Sequence, residues 1–206
     1  MTFPDTPFAA AGAFADAYFE RSRAAAASVD RNHLTAAAER LARAYSDDTA
    51  VYACGNGGSA SISNHLVCDH LKGCQTDTDL KPHVVSLSSN IEMITAIAND
   101  ITYDDVFVYQ LATLAKAGDV LITISSSGDS ENVVRAAQWA RDNGVDVIAM
   151  TGFSGGRTAG LATINLHVDG DNYGVIEDTH QALMHVLAQY IRLARMDESL
   201  IPERKF

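Results

Sequence analysis

The chain has 206 residues, 47% hydrophobic and 20% charged, enough for one globular domain with a substantial core. Acidic residues outnumber basic ones by 26 to 15, a formal charge of −11, which argues against nucleic acid as a bulk electrostatic partner. No run reaches the ~18 apolar residues of a membrane span, so no membrane partner is expected.

The N-terminal stretch carries acids among its apolar residues and lacks the basic segment of a secretory signal. Cys54, Cys68 and Cys74 are odd in number and close in sequence, which makes no disulfide framework. A reduced, cytoplasmic setting is expected, with Cys68 read as a small buried thiol.

Residues 8–27 are alanine-rich, with Phe14, Tyr18 and Phe19 near helical spacing; a second helix starts at Asp30 as N-cap and carries Leu34, Ala38, Leu41 and Tyr45. Both helices precede any strand, so neither is a crossover of a parallel sheet. They serve assembly or simply cover the core. From residue 49 short apolar runs at 50–54, 84–87, 120–124, 145–150 and 164–168 alternate with helical segments at 59–72, 89–98, 105–116 and 129–142, and with a short turn after Arg157. A long helix covers 173–196, and the last residues break at Pro202. This alternation predicts an α/β fold, a five-stranded parallel doubly wound sheet with an N-terminal helical extension. The expected organisation is 1–48 for the helical extension, 49–196 for the domain and 197–206 for the tail.

In such sheets ligands bind beyond the carboxyl ends of the strands, so the loops there carry the chemistry. The first strand runs into Gly55-Asn56-Gly57-Gly58-Ser59, a hinge that allows close backbone approach, with Ser59 as expected N-cap of the following helix. A strand, a glycine-rich turn and a helix N-terminus together suit an anion. His65 and Asp69 follow on one helix face, where imidazole and carboxylate can share a metal ion or a proton transfer. The third strand enters Ser125-Ser126-Ser127-Gly128-Asp129-Ser130, whose hydroxyls at a helix start suit a phosphate. The final helix carries Glu177, Asp178, His180 and His185. Glu177 and His185 are eight residues apart, ~12 Å along a straight helix, which one metal ion would struggle to bridge. A distorted first turn or a second subunit is needed, hence the expectation of a composite site.

The GNGGSA turn with His65 four residues before an acid resembles the SIS-domain (sugar isomerase) proteins, specifically the sedoheptulose-7-phosphate isomerases, also called phosphoheptose isomerases. The serine loop is similar to that family's STSGNS, and the run around Glu177 to its RIQE stretch with a histidine eight residues after the glutamine. The resemblance covers about residues 30–195. It implies the SIS fold and an aldose–ketose isomerase taking sedoheptulose 7-phosphate to D-glycero-D-manno-heptose 7-phosphate. It implies a homotetramer with Zn²⁺ or another divalent ion held by His65, Asp69, Glu177 and His185. Asp69 and His185 are the implied acid–base pair. Asn56, Gly57, Gly58, Ser59, Asn99, Asp100, Ser125, Ser126, Ser127, Ser130 and Glu177 are the implied substrate contacts. This chain departs from the pattern at Asp69, a glutamate in the family, at Glu177, a glutamine, and at Asp129, an asparagine. It also lacks an arginine expected near Gly73, where Lys72 partly substitutes, and an Asp-Arg pair where Gly174 and Val175 stand. His70 is read as structural and His180 as lying beside the site or at an interface. The alternatives are a different phosphosugar, or a non-catalytic SIS-domain binding protein like the relative that associates with the replication initiator.

Overall fold

The computed structural model describes residues 2–206. Its strands are β1 (Ala50–Gly55), β2 (His83–Ser86), β3 (Val120–Ser125), β4 (Asp146–Thr151) and β5 (Ile164–His167). All pair in parallel, in the order β2-β1-β3-β4-β5. Helices α1 (Ala11–Ser28) and α2 (Arg31–Ser46) precede the sheet. The connections carry α3 (Gly58–Val67), α4 (Ile91–Asp100), α5 (Val108–Leu114), α6 (Glu131–Asp142) and α7 (Gly156–Leu161), and α8 (Tyr173–Arg195) follows β5. This is the doubly wound architecture that the alternating pattern predicts. Among the described residues no helix is long and apolar enough to cross a membrane.

Strand side chains alternate between the two faces, and the core divides accordingly. Val51, Ala53, Ile122 and Ile124 pack with Leu41 and Tyr45 of α2, Ile62 and Leu66 of α3, and Met184 and Leu187 of α8. Tyr52, Cys54 and Leu121 pack with Ile97 of α4, Leu111 of α5 and Val133 and Ala137 of α6. The chain leaves β1 into α3 on one face and leaves β3 into α6 on the other. The crevice between these adjacent strands is the point where strand order reverses, and the glycine hinge and serine loop flank it.

Three local expectations are revised. α3 begins at Gly58, with Gly57 rather than Ser59 as its N-cap, and Ser59 lies buried inside the first turn. The single helix read over 59–72 ends at Val67, and a π-helical turn, Cys68–Cys74, continues it. That wider turn carries His70 into the core, where a ring nitrogen lies 2.6 Å from the Tyr45 hydroxyl. Burial pulls the His70 imidazole down to about 4. Cys68, expected as a buried thiol, is exposed on the outer side of this turn. Residues 198–203 form a 3₁₀ turn through Pro202, and Arg204 beyond it is held by Asp77 at 3.0 Å.

Candidate active site

Two groups of polar side chains lie along one face of α8. The first surrounds a cavity of about 180 Å³ at the β1/β3 crevice, lined by Asn56, Ser59, Ser125, Ser126, Ser127, Ser130, Tyr173 and Glu177. Gly57, at φ 55°, and Gly58 lie in the hinge between the lining residues Asn56 and Ser59. A Cβ on Gly58 would stand 2.3 Å from Glu177 Oε2, so only glycine lets this carboxylate settle against the hinge. Burial, and then Asp178 beside it, raises the Glu177 carboxyl above its ordinary value.

In the serine loop, the Ser125 and Ser127 hydroxyls accept from the backbone N–H groups of Gly128 and Asp129. Ser130 is the N-cap residue of α6, but its side chain makes no capping bond. The Ser126 hydroxyl is buried without any partner in the protein. Such a hydroxyl costs about 1–3 kcal/mol unless something satisfies it. Asp129, the acid beside this loop, does not line the cavity. Arg157 of α7 grips its carboxylate through Nε and reaches Glu131 at 2.8 Å through Nη1. That guanidinium holds the Asp129 carboxyl below its usual range. The extra negative charge is therefore matched by a cation from outside the loop. Asn56 is fixed by a reciprocal amide pair with Asn132 and by the Tyr103 hydroxyl at 2.8 Å.

The second group stands farther along α8. His65, at the end of α3, has Nε2 3.4 Å from Asp69 Oδ1, and His185 has Nε2 3.3 Å from Asp69 Oδ2. One donor atom from each of these three residues lies within 4.8 Å of the others. Two imidazoles and a carboxylate are a fitting donor set for a divalent transition ion. Glu177, expected as a fourth ligand, is outside this cluster. The side chain between the imidazoles is Gln181, with its Nε2 3.1 Å from both His65 Nδ1 and His185 Nε2. The sequence reading passed over Gln181, although its spacing of four from both Glu177 and His185 placed it on the same helix face.

The remaining candidates fall elsewhere. Asn99 and Asp100 are exposed at the end of α4 and bond to each other at 2.7 Å, without touching either group. His180 is wholly buried, its Nε2 3.2 Å from the Thr151 carbonyl, so it reaches neither the site nor the surface. Where the Asp-Arg pair was expected, Gly174 makes room for Tyr18. The Tyr18 hydroxyl donates to Asp178 at 2.6 Å and ties α1 to α8.

The fold and these two groups define a doubly wound α/β protein with a small-molecule site at the carboxyl edge of its sheet. A family model for the SIS domain matches residues 17–152. The chain is 36% identical over 174 residues to a probable phosphoheptose isomerase of Thermoplasma acidophilum, covering 84% of this chain and 95% of that protein. It is 38% identical over 156 residues to the phosphoheptose isomerase of Colwellia psychrerythraea, covering 74% and 76%. The solved phosphoheptose isomerase of Neisseria gonorrhoeae superposes with a TM-score of 0.80 at 32% identity, over 88% of this chain and 98% of that one. The sugar isomerase domain of an RpiR transcription factor from Sphaerobacter thermophilus, at 19% identity and a TM-score of 0.62, shares the fold alone. The chain belongs to the SIS-domain family and, within it, to the phosphoheptose isomerases.

Proposed function

We propose that this chain is an aldose–ketose isomerase that converts sedoheptulose 7-phosphate to D-glycero-D-manno-heptose 7-phosphate through an enediol, in the supply of nucleotide-activated heptose. The observation that carries this reading is the Asp69 carboxylate held between two imidazoles on the α8 face that also borders the serine loop. Glu177 at the cavity and His185 at the cluster are eight residues apart, ~12 Å along a straight helix. That span is of the order of an extended seven-carbon chain with its phosphate.

The serine loop binds the phosphate, through the free hydroxyls of Ser126 and Ser130 and the N-terminal amides of α6. Fixing that end places C1 and C2 at the Asp69 cluster and removes most of the entropic cost of orientation. Asp69 takes the proton from C1 and returns it to C2, while His185 moves the proton between the two oxygens. His65, Asp69 and His185 would hold a divalent ion such as Zn²⁺, which would supply Lewis-acid stabilisation of the negative charge developing on those oxygens.

The enzyme is cytoplasmic and acts as a homotetramer with composite sites. Supporting assembly, Ile91, Tyr109 and Leu114 of the α4–α5 layer and Val186, Tyr190 and Leu193 of α8 expose their apolar side chains. A fully active monomer in dilute solution contradicts the composite site.

The test is NMR detection of the aldoheptose phosphate from sedoheptulose 7-phosphate, with chelator and with added Zn²⁺. Metal-dependent product supports the reading, and no conversion in either condition overturns it.

A further inference from the structure

We infer that Arg157, at the start of α7, is a positioning residue for phosphate binding, acting through Asp129 of the serine loop; this rests on the phosphate reading above and deepens it. Arg157 does not line the serine cavity, so it works on the loop and not on the ligand.

A loop that holds an anion must present N–H and O–H groups to it and turn its carbonyls elsewhere. Residues 152–158 take up those carbonyls from behind. The Gly152 N–H donates to the Ser126 carbonyl at 2.8 Å, and the Thr158 N–H and hydroxyl donate to the Gly128 carbonyl at 2.9 and 2.8 Å. Arg157 Nη2 donates to the Asp129 carbonyl at 3.1 Å. The two segments meet backbone to backbone, since a Cβ on Gly156 would collide with the Gly128 carbonyl. The N–H groups of Ser126, Ser127 and Ser130, by contrast, have no acceptor among the described residues, and all three residues line the cavity.

No basic side chain lines this cavity, and Glu177 already brings one carboxylate to it. A phosphate there relies on neutral donors and the α6 N-terminus, so nearby uncompensated charge weighs directly on its affinity. Asp129 would be such a charge, one residue from Ser130. Arg157 Nε grips its carboxylate while Nη1 reaches Glu131 at 2.8 Å. The pair is about half exposed, and exposed ion pairs add little to stability. Its effect belongs to ligand affinity: the guanidinium cancels the acid and holds it against α7, on the far side of the loop from the ligand.

The experiment compares wild type, Arg157→Gln and the double variant Arg157→Gln with Asp129→Asn. Steady-state kinetics with sedoheptulose 7-phosphate and a phosphorus NMR titration with inorganic phosphate are run at ionic strengths of about 0.01 M and about 1 M, where charges are screened over about 30 and about 3 Å. At low salt Arg157→Gln should raise both KM and the phosphate dissociation constant by about 3- to 10-fold with kcat unchanged, and high salt should erase most of the difference. The double variant should regain wild-type affinity to within about twofold, because the unopposed acid is gone. A merely structural role for Arg157 predicts equal losses in both variants at either salt. Such equal losses, wild-type affinity in Arg157→Gln, or no phosphate binding by the wild type each overturns the inference. Product formation by the wild type beside any of these results leaves the isomerase reading standing. Phosphate titrations that behave as expected without product overturn that reading alone.

Discussion

Replacing Ser126 by alanine separates a ligand-binding role from a structural one. The Ser126 side chain is 5% exposed, and its hydroxyl has no partner in the protein. Removing it therefore breaks no intramolecular bond and relieves an unsatisfied buried group, so stability should stay level or rise slightly. A hydrogen bond to a charged group is worth about 1.5–3 kcal/mol, so loss of one phosphate contact should raise KM for sedoheptulose 7-phosphate by about 10- to 150-fold. Turnover at saturation should hold, because the reacting carbons lie at the other end of the substrate. The assay is steady-state kinetics with the phosphorylated sugar beside unphosphorylated sedoheptulose, together with urea denaturation. The penalty should disappear with sedoheptulose. Ser125→Ala is the contrast, since that hydroxyl accepts from Gly128 and its loss should cost about 1 kcal/mol of stability. An unchanged KM in Ser126→Ala, or an equal penalty on both sugars, would refute the phosphate assignment.

Asp69→Asn should abolish isomerisation while leaving the thermal midpoint close to wild type; product formation by this variant, followed by NMR, removes Asp69 as the base. His180 is buried and its pKa is pulled down to about 4 by desolvation. The unfolded chain, at about 6.5, binds this proton more readily. The contribution is thus complete above pH 6.5, falls as pH drops, and levels off below about 4 after a loss of about 3 kcal/mol. Denaturation across that range should show the slope; buried His70, pulled down to about 4 as well, adds a slope of the same sign, so His180→Gln should reduce the slope by about half rather than abolish it. Tyr18→Phe loses the bond to Asp178, and the α1–α8 contact should weaken by about 1 kcal/mol in a denaturant titration.

The strands, the glycine hinge, the serine loop and the His65–Asp69 pairing were legible in the sequence, because each is written within a few neighbouring residues. Period-two and period-3.6 apolar patterns need only the local backbone, and a strand–Gly–helix junction announces an anion site wherever the sheet places it. Even there the π-helical turn was missed. That turn brings His70 against Tyr45, 25 residues away, a contact no local pattern records.

Tertiary packing decided which polar groups meet. Glu177 and Gln181 both face the right side of α8. Which of them reaches the histidines depends on how that helix lies against α3 and the glycine hinge, not on spacing along its own sequence. Asp129 read as an unfavourable charge beside the serine loop until α7 brought Arg157 onto it. Local patterns determine the elements and the kinds of chemistry they can hold. Partnership among polar side chains depends on positions set to within an ångström by contacts far apart in the chain, and only the assembled core supplies those.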